Sequence, residues 1–168
     1  MKKSFTLIEI LVYLGVFFLV ISIIISFVFW LVNSNTKVKV MKEALNNADR
    51  AMAIMTYEIK EAENVYTPTA TSNQLSLETI KYLPEGEENS YIDFFLCDSS
   101  LCLKKESQDP IVLTSDSVEI TNLVFTQIVS GGTTSLQIDL TVNYKNPTNR
   151  PESQASVNLT STVSLRNY

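Results

Sequence analysis

Polar and apolar positions divide the chain into three stretches with different periods. From Ile10 to Val32 no position carries a formal charge, and the only polar breaks are slight: Tyr13, Gly15, Ser22, Ser26 and Trp30. A run of about 20 such residues is long enough to cross a bilayer as a helix. Helix is also the form in which a single segment satisfies its own backbone in lipid. From Val38 the pattern turns amphipathic. Val38, Met41, Leu45, Ala48, Met52, Met55, Ile59, Ala62 and Tyr66 recur in alternating steps of three and four. That spacing is a seam with a period near 3.5 residues. Neither glycine nor proline interrupts it, and Thr67-Pro68 is expected to end it, because proline disfavours helical geometry in the residue before it. Joined to the apolar run, the seam predicts one helix from about residue 5 to about residue 65, roughly 90 Å long. A seam of this kind can close a freestanding coiled coil or lie under a sheet of its own chain. The strands that follow favour the second.

After Pro68 the period drops to two. Gln74–Ile80, Tyr91–Cys97, Leu101–Lys104, Ile111–Leu113, Val118–Val129, Leu136–Val142 and Val157–Leu165 read as strands. Ser130-Gly131-Gly132-Thr133 reads as a hairpin turn. Residues 84–89 and 146–151 read as loops. Leu136, Ile138, Leu140 and Val142 fall on one face. The expected architecture is α+β: a long N-terminal helix, transmembrane and then amphipathic, packed on a C-terminal antiparallel sheet.

Composition narrows the chemistry. The 168 residues allow one soluble domain behind an anchor. The net charge of −5 argues against nucleic acid as a partner. The absence of histidine removes the commonest general base and metal ligand. The four glycines build no phosphate loop. No catalytic residue, cofactor or metal is expected, and Asp98, Asp109, Asp116 and Asp139 form no recognisable catalytic pair. Glu85, Glu87, Glu88 and Asp93 around Gly86 read as a solvated acidic loop, with calcium as the alternative. Cys97 and Cys102, across a short turn, read as a disulfide in an extracytoplasmic domain, with two reduced core thiols as the alternative.

The ends of the apolar run fix its orientation. Lys2 and Lys3 mark the cytoplasmic side, and the next basic residues are Lys37 and Lys39. The chain is therefore expected to cross the cytoplasmic membrane once, with everything after about residue 36 outside. The run is longer than the apolar core of a secretory signal and ends in Asn33-Ser34-Asn35-Thr36, without an A-x-A cleavage site. Glu9 is the anomaly, since a carboxylate in hydrocarbon costs about 3 kcal/mol and needs a partner. It sits either at headgroup level beside the lysines or opposite a positive charge brought by another molecule.

Lys3-Ser4-Phe5-Thr6-Leu7-Ile8-Glu9 resembles the processing and methylation motif of type IV pilins and type II secretion pseudopilins. The resemblance implies that prepilin peptidase, a membrane aspartyl enzyme, cuts between Ser4 and Phe5 and methylates the new terminus at Phe5. Ser4 stands where glycine is usual. Glu9 becomes the fifth mature position, where the family keeps a glutamate that pairs with the terminal amine of a neighbouring subunit. Asn122-Leu123-Val124-Phe125 with the hairpin after it, Ser161-Thr162-Val163-Ser164-Leu165-Arg166, and Tyr57-Glu58-Ile59 followed by Leu75-Ser76-Leu77 are similar to J-type minor pseudopilins.

The implied organisation is a leader at 1–4, a transmembrane and assembly helix at 5–36, an amphipathic outer half at 37–67 and a β-rich part at 68–168. The implied function is structural and not enzymatic: a subunit that helps to initiate or cap a fibre. Its partners would be other pilin or pseudopilin subunits, the inner-membrane assembly platform and a cytoplasmic ATPase. The alternative is a minor pilin acting as a binding module in adhesion or DNA uptake.

Overall fold

The computed structural model describes residues 6–67, 71–81, 83, 85–130, 132–146 and 150–166. Its first element is a single helix, α1, Leu7–Glu61. At 1.5 Å per residue its 55 residues span about 80 Å. Nine strands follow: β1 Asn64–Thr67, β2 Thr71–Ser72, β3 Leu75–Thr79, β4 Ser90–Cys97, β5 Ser100–Lys105, β6 Ile111–Val112, β7 Val118–Ser130, β8 Thr133–Tyr144 and β9 Ser156–Ser164. They form two antiparallel sheets where the alternation predicts one. The first has the order β1-β3-β4-β5-β6 and the second β2-β7-β8-β9.

The helix ends earlier than its seam predicts. Ala62 leaves helical geometry, with φ −79° and ψ 146°, and two residues later the chain is in β1. Asn64 pairs with Glu78 and Val65 with Leu77, and the Glu63 amide donates to the Glu78 carbonyl. Val65, Tyr66 and Thr67 suit a pleated surface, so pairing with β3 prevails over continuation of the helix. Tyr66 therefore belongs to a strand and not to the seam. Pro68, the expected stop, lies outside the described residues.

The buried face of α1 keeps Ala48, Met55, Ile59 and Ala62 of the expected seam but departs from its first three positions. Val40, Ala44, Ala48, Ala51, Met55 and Ile59 are buried, together with Asn47 and Glu58, whereas Val38, Met41 and Leu45 are exposed. The face that wins is the one with the smallest side chains, because alanines let the second sheet approach the helix closely. Strands β8 and β9 supply most of the cover. From β8 the expected face of Leu136, Ile138, Leu140 and Val142 is fully buried. In the first sheet, Leu75, Phe94 and Leu103 stand in one cross-strand row and Leu77 with Ile92 in the next. All of these join one continuous core with the helix.

Turn chemistry completes the frame. Ser130 pairs with Thr133 across the two glycines, and Gly132 takes φ +83°, a conformation that favours glycine. Gly131 lies outside the described residues. After β8, Asn146 closes a loop by donating to the Arg150 carbonyl and accepting from the Arg150 amide, and Pro151–Ser153 form one 3-10 turn.

Candidate functional site

The candidate site is the start of α1. Ser4 and Phe5, the expected processing and methylation positions, lie outside the described residues, as do Lys2 and Lys3. Thr6 is the N-cap, extended at φ −78° and ψ 149°. Its amide and its Oγ1 both donate to Glu9 Oε2 at 3.0 Å, and the Glu9 amide donates to Thr6 Oγ1 at 3.4 Å. This is a reciprocal capping box. Glu9 thus has a partner within its own chain, which neither sequence reading of Glu9 anticipates. The signal was legible as Thr-x-x-Glu directly before an apolar run. Both bonds land on Oε2, and Oε1 accepts none among the described residues.

Behind this cap the helix is apolar on every side. Its large side chains, among them Phe17, Phe18, Ile24, Phe29 and Trp30, are exposed, with Ile21 alone half-buried between Leu7 and Val32. Three hydroxyls are bonded back onto the helix: Ser22 donates to the Leu19 carbonyl, Ser26 to that of Ser22 and, just past the apolar run, Thr36 to that of Val32. A hydroxyl bonded back onto its own helix presents only its carbon face outward. Length and composition are those of a helix able to cross a membrane, compatible with single-pass anchoring.

Two polar joints fix the other half of α1 against the strands. Near its middle, Asn47 donates to the Glu43 carbonyl and accepts the Ser115 amide at 2.8 Å. At its end, Glu61 meets Lys81 at 2.7 Å and Arg166 at 3.4 Å, and Lys81 also donates to the Tyr57 hydroxyl. The Lys81 hydrogen bond, and then the nearby cations, hold the Glu61 carboxyl below the usual range. Bonds to Glu61 and then to Tyr57 raise the Lys81 ammonium above its ordinary value. Between these joints lies Glu58, 5% exposed, with Oε1 at 3.6 Å from Lys105 Nζ. Its Oε2 accepts no hydrogen bond among the described residues.

The remaining candidates are dispersed. Cys97 and Cys102 are joined as a disulfide with Cα atoms 5.9 Å apart. Register explains the reach: Cys97 pairs with Ser100 and Phe95 with Cys102, so the cysteines are diagonal neighbours across the turn. Glu85, Glu87 and Glu88 are exposed in their loop, while Asp93 stands on β4 and accepts from Ser76. Asp139 accepts from Gln137 and Thr160. Among the described residues no three His, Cys, Asp or Glu side chains gather as metal ligands would.

No protein-family model, curated protein or solved structure matches the chain.

Proposed function

We propose that the chain is a minor pilin-like, pseudopilin-type subunit of a type II secretion or type IV pilus-type filament. Prepilin peptidase would cut it after Ser4 and methylate it at Phe5. The observation that supports this best is the division of one continuous helix. Its first half is apolar all round and begins at a fixed carboxylate. Its second half is covered by sheets of the same chain. A simple membrane tether has no use for a carboxylate at the mouth of its apolar run, or for a rod continuing rigidly into the folded part.

In this reading the capping box has a definite task. Thr6 becomes the second residue of the mature chain, and it holds Glu9 in place while the helix starts. Oε1, which accepts no bond among the described residues, then receives the methylated amine of a neighbouring subunit. The pair would meet inside an apolar bundle, where an unmatched charge is heavily penalised and a matched one tolerated. Such a contact sets register more than it adds stability. The helix passes once through the cytoplasmic membrane, and the sheets lie outside it until the subunit is taken into a fibre.

Mass analysis of the N-terminus of membrane-extracted protein tests the processing directly. The expected polypeptide begins at Phe5 and carries one added methyl group. A chain that still begins at Met1 overturns the proposal. Glu9→Ala is expected to insert and to be cut normally but to be lost from sibling subunits in a pull-down. Undiminished co-purification would refute the role given to Glu9.

A further inference from the structure

The outward face of the first sheet carries an open cleft of about 390 Å³ lined by Tyr66, Gln74, Ser76, Tyr91 and Asp93. The rings of Tyr66 on β1 and Tyr91 on β4 meet edge to face, with centroids 5.5 Å apart. Register sets Ser76 opposite Asp93 and Glu78 opposite Tyr91. Asp93 lines the cleft, Glu78 and Glu106 flank Tyr91 beside it, and neutral donors bond each of the three. Glu78 accepts from Asn64 Nδ2 at 3.1 Å and Asn89 Nδ2 at 2.7 Å. Asp93 accepts from Ser76 Oγ at 2.5 Å, and Glu106 from the Tyr91 amide at 2.9 Å. Neutral donors hold a carboxylate in position without cancelling its charge.

The neighbouring cations leave that charge in place. Lys104 stands opposite Asp93 on β5 and is exposed. Lys105 reaches Glu58, on the inner side of the sheet. Asp93 in the cleft with Glu78 and Glu106 beside it, against one exposed ammonium, make this face of the sheet net negative. Burial, and after it the fields of Glu78, Tyr66 and Glu106, hold the Tyr91 phenol above its ordinary value. Aromatic faces attract a cation through the ring quadrupole, and fixed carboxylates add Coulomb attraction. An anion would be repelled here, and a neutral ligand would leave the three charges unanswered.

We propose that this cleft binds an alkylammonium cation, either a free small amine or the lysine side chain of a partner, held between the two tyrosine rings and the carboxylates of Glu78, Asp93 and Glu106. The proposal does not depend on the filament reading.

The test uses the full chain in maltoside micelles at low ionic strength, with carbon-13 in the tyrosine rings. It is titrated with choline, with the neutral isostere 3,3-dimethylbutan-1-ol, and with a tetralysine peptide. The Tyr66 and Tyr91 ring signals are expected to shift saturably with a cation and several-fold less with the isostere. Tyr66→Leu and Asp93→Asn should each weaken binding about 3- to 10-fold. Both variants should unfold at the wild-type temperature, because Tyr66 is 71% exposed and asparagine keeps an acceptor for Ser76. Tighter binding of tetralysine than of choline would make a partner side chain the source of the cation, and the reverse order a free amine. Equal response to the isostere, shifts unchanged by both variants, or no saturation by about 100 mM of either cation would overturn the proposal.

Discussion

The two halves of α1 share one backbone and are finished in opposite ways. Between Leu7 and Val32 the helix carries bulky apolar residues on every side, and none is buried by the chain itself. Between Val40 and Ile59 it carries alanines at its closest contacts, with charges on its open side. Where the chain supplies its own cover, small residues let the sheet approach. Where the cover must come from elsewhere, large residues fill the outline. The contrast separates what this molecule can complete alone from what it leaves to its surroundings.

The sharpest way to break that contrast is to make the same truncation in both halves. Met55→Ala empties a fully buried position and is expected to cost about 2–5 kcal/mol. Ile24→Ala, at a position 55% exposed, should leave the unfolding of the sheets unchanged. Thermal unfolding of the full chain in detergent, followed by circular dichroism, measures both. Equal losses would mean that the halves are not distinct.

Polar joints give a smaller difference of the same kind. Asn47→Ala strands the Ser115 amide inside the fold and should destabilise by about 1–3 kcal/mol. Ser22→Ala removes only a hydroxyl bonded to its own helix and should change stability by less than about 0.5 kcal/mol. Urea unfolding of the two variants distinguishes them.

The smallest effect sits where the helix ends. Glu61 has a lowered pKa in the folded chain, so its contribution is fully present above the unfolded value, about 4.3. That contribution is lost as pH falls through the lower folded value. Lys81→Met should raise the Glu61 midpoint towards the ordinary value and flatten the acid limb of the stability curve. Side-chain NMR titration reads the midpoint, and an unmoved midpoint would show that Lys81 is not its main partner. No counterpart is expected near Ser22 or Ser26, which do not titrate.

Much of this contrast was legible in residue order. The unbroken run from Ile10 to Val32 and the drop in period after Pro68 located the helix and nearly all the strands. The strict alternation of Leu136, Ile138, Leu140 and Val142 gave the inner face of β8. What failed, failed for tertiary reasons. Val38, Met41 and Leu45 fit a seam by period, yet the sheet lies on the neighbouring face, where Ala44 and Ala51 permit closer approach. Periodicity weighs hydrophobicity and is blind to the distance that a small side chain allows. Tyr66 extended the seam by spacing, but its backbone pairs with β3, a partner far along the chain. The division into two sheets could not be seen, because strand-to-strand pairing leaves no local mark. At the candidate site, Glu9 stood out as a charge in an apolar run, whereas its partner Thr6 needed the cap pattern to be sought deliberately.

The short corner at Ala62 has a mechanical consequence. The folded part is tethered to the far end of the rod and lies back along it, so a pull on Leu7 does not peel strands away one at a time. It drags the whole Ala44–Ile59 interface sideways at once, with the Asn47–Ser115 and Glu61–Lys81 joints resisting together. Loaded in that direction the molecule behaves as a lap joint, strongest along the line in which a helix rooted at its N-terminus would be drawn.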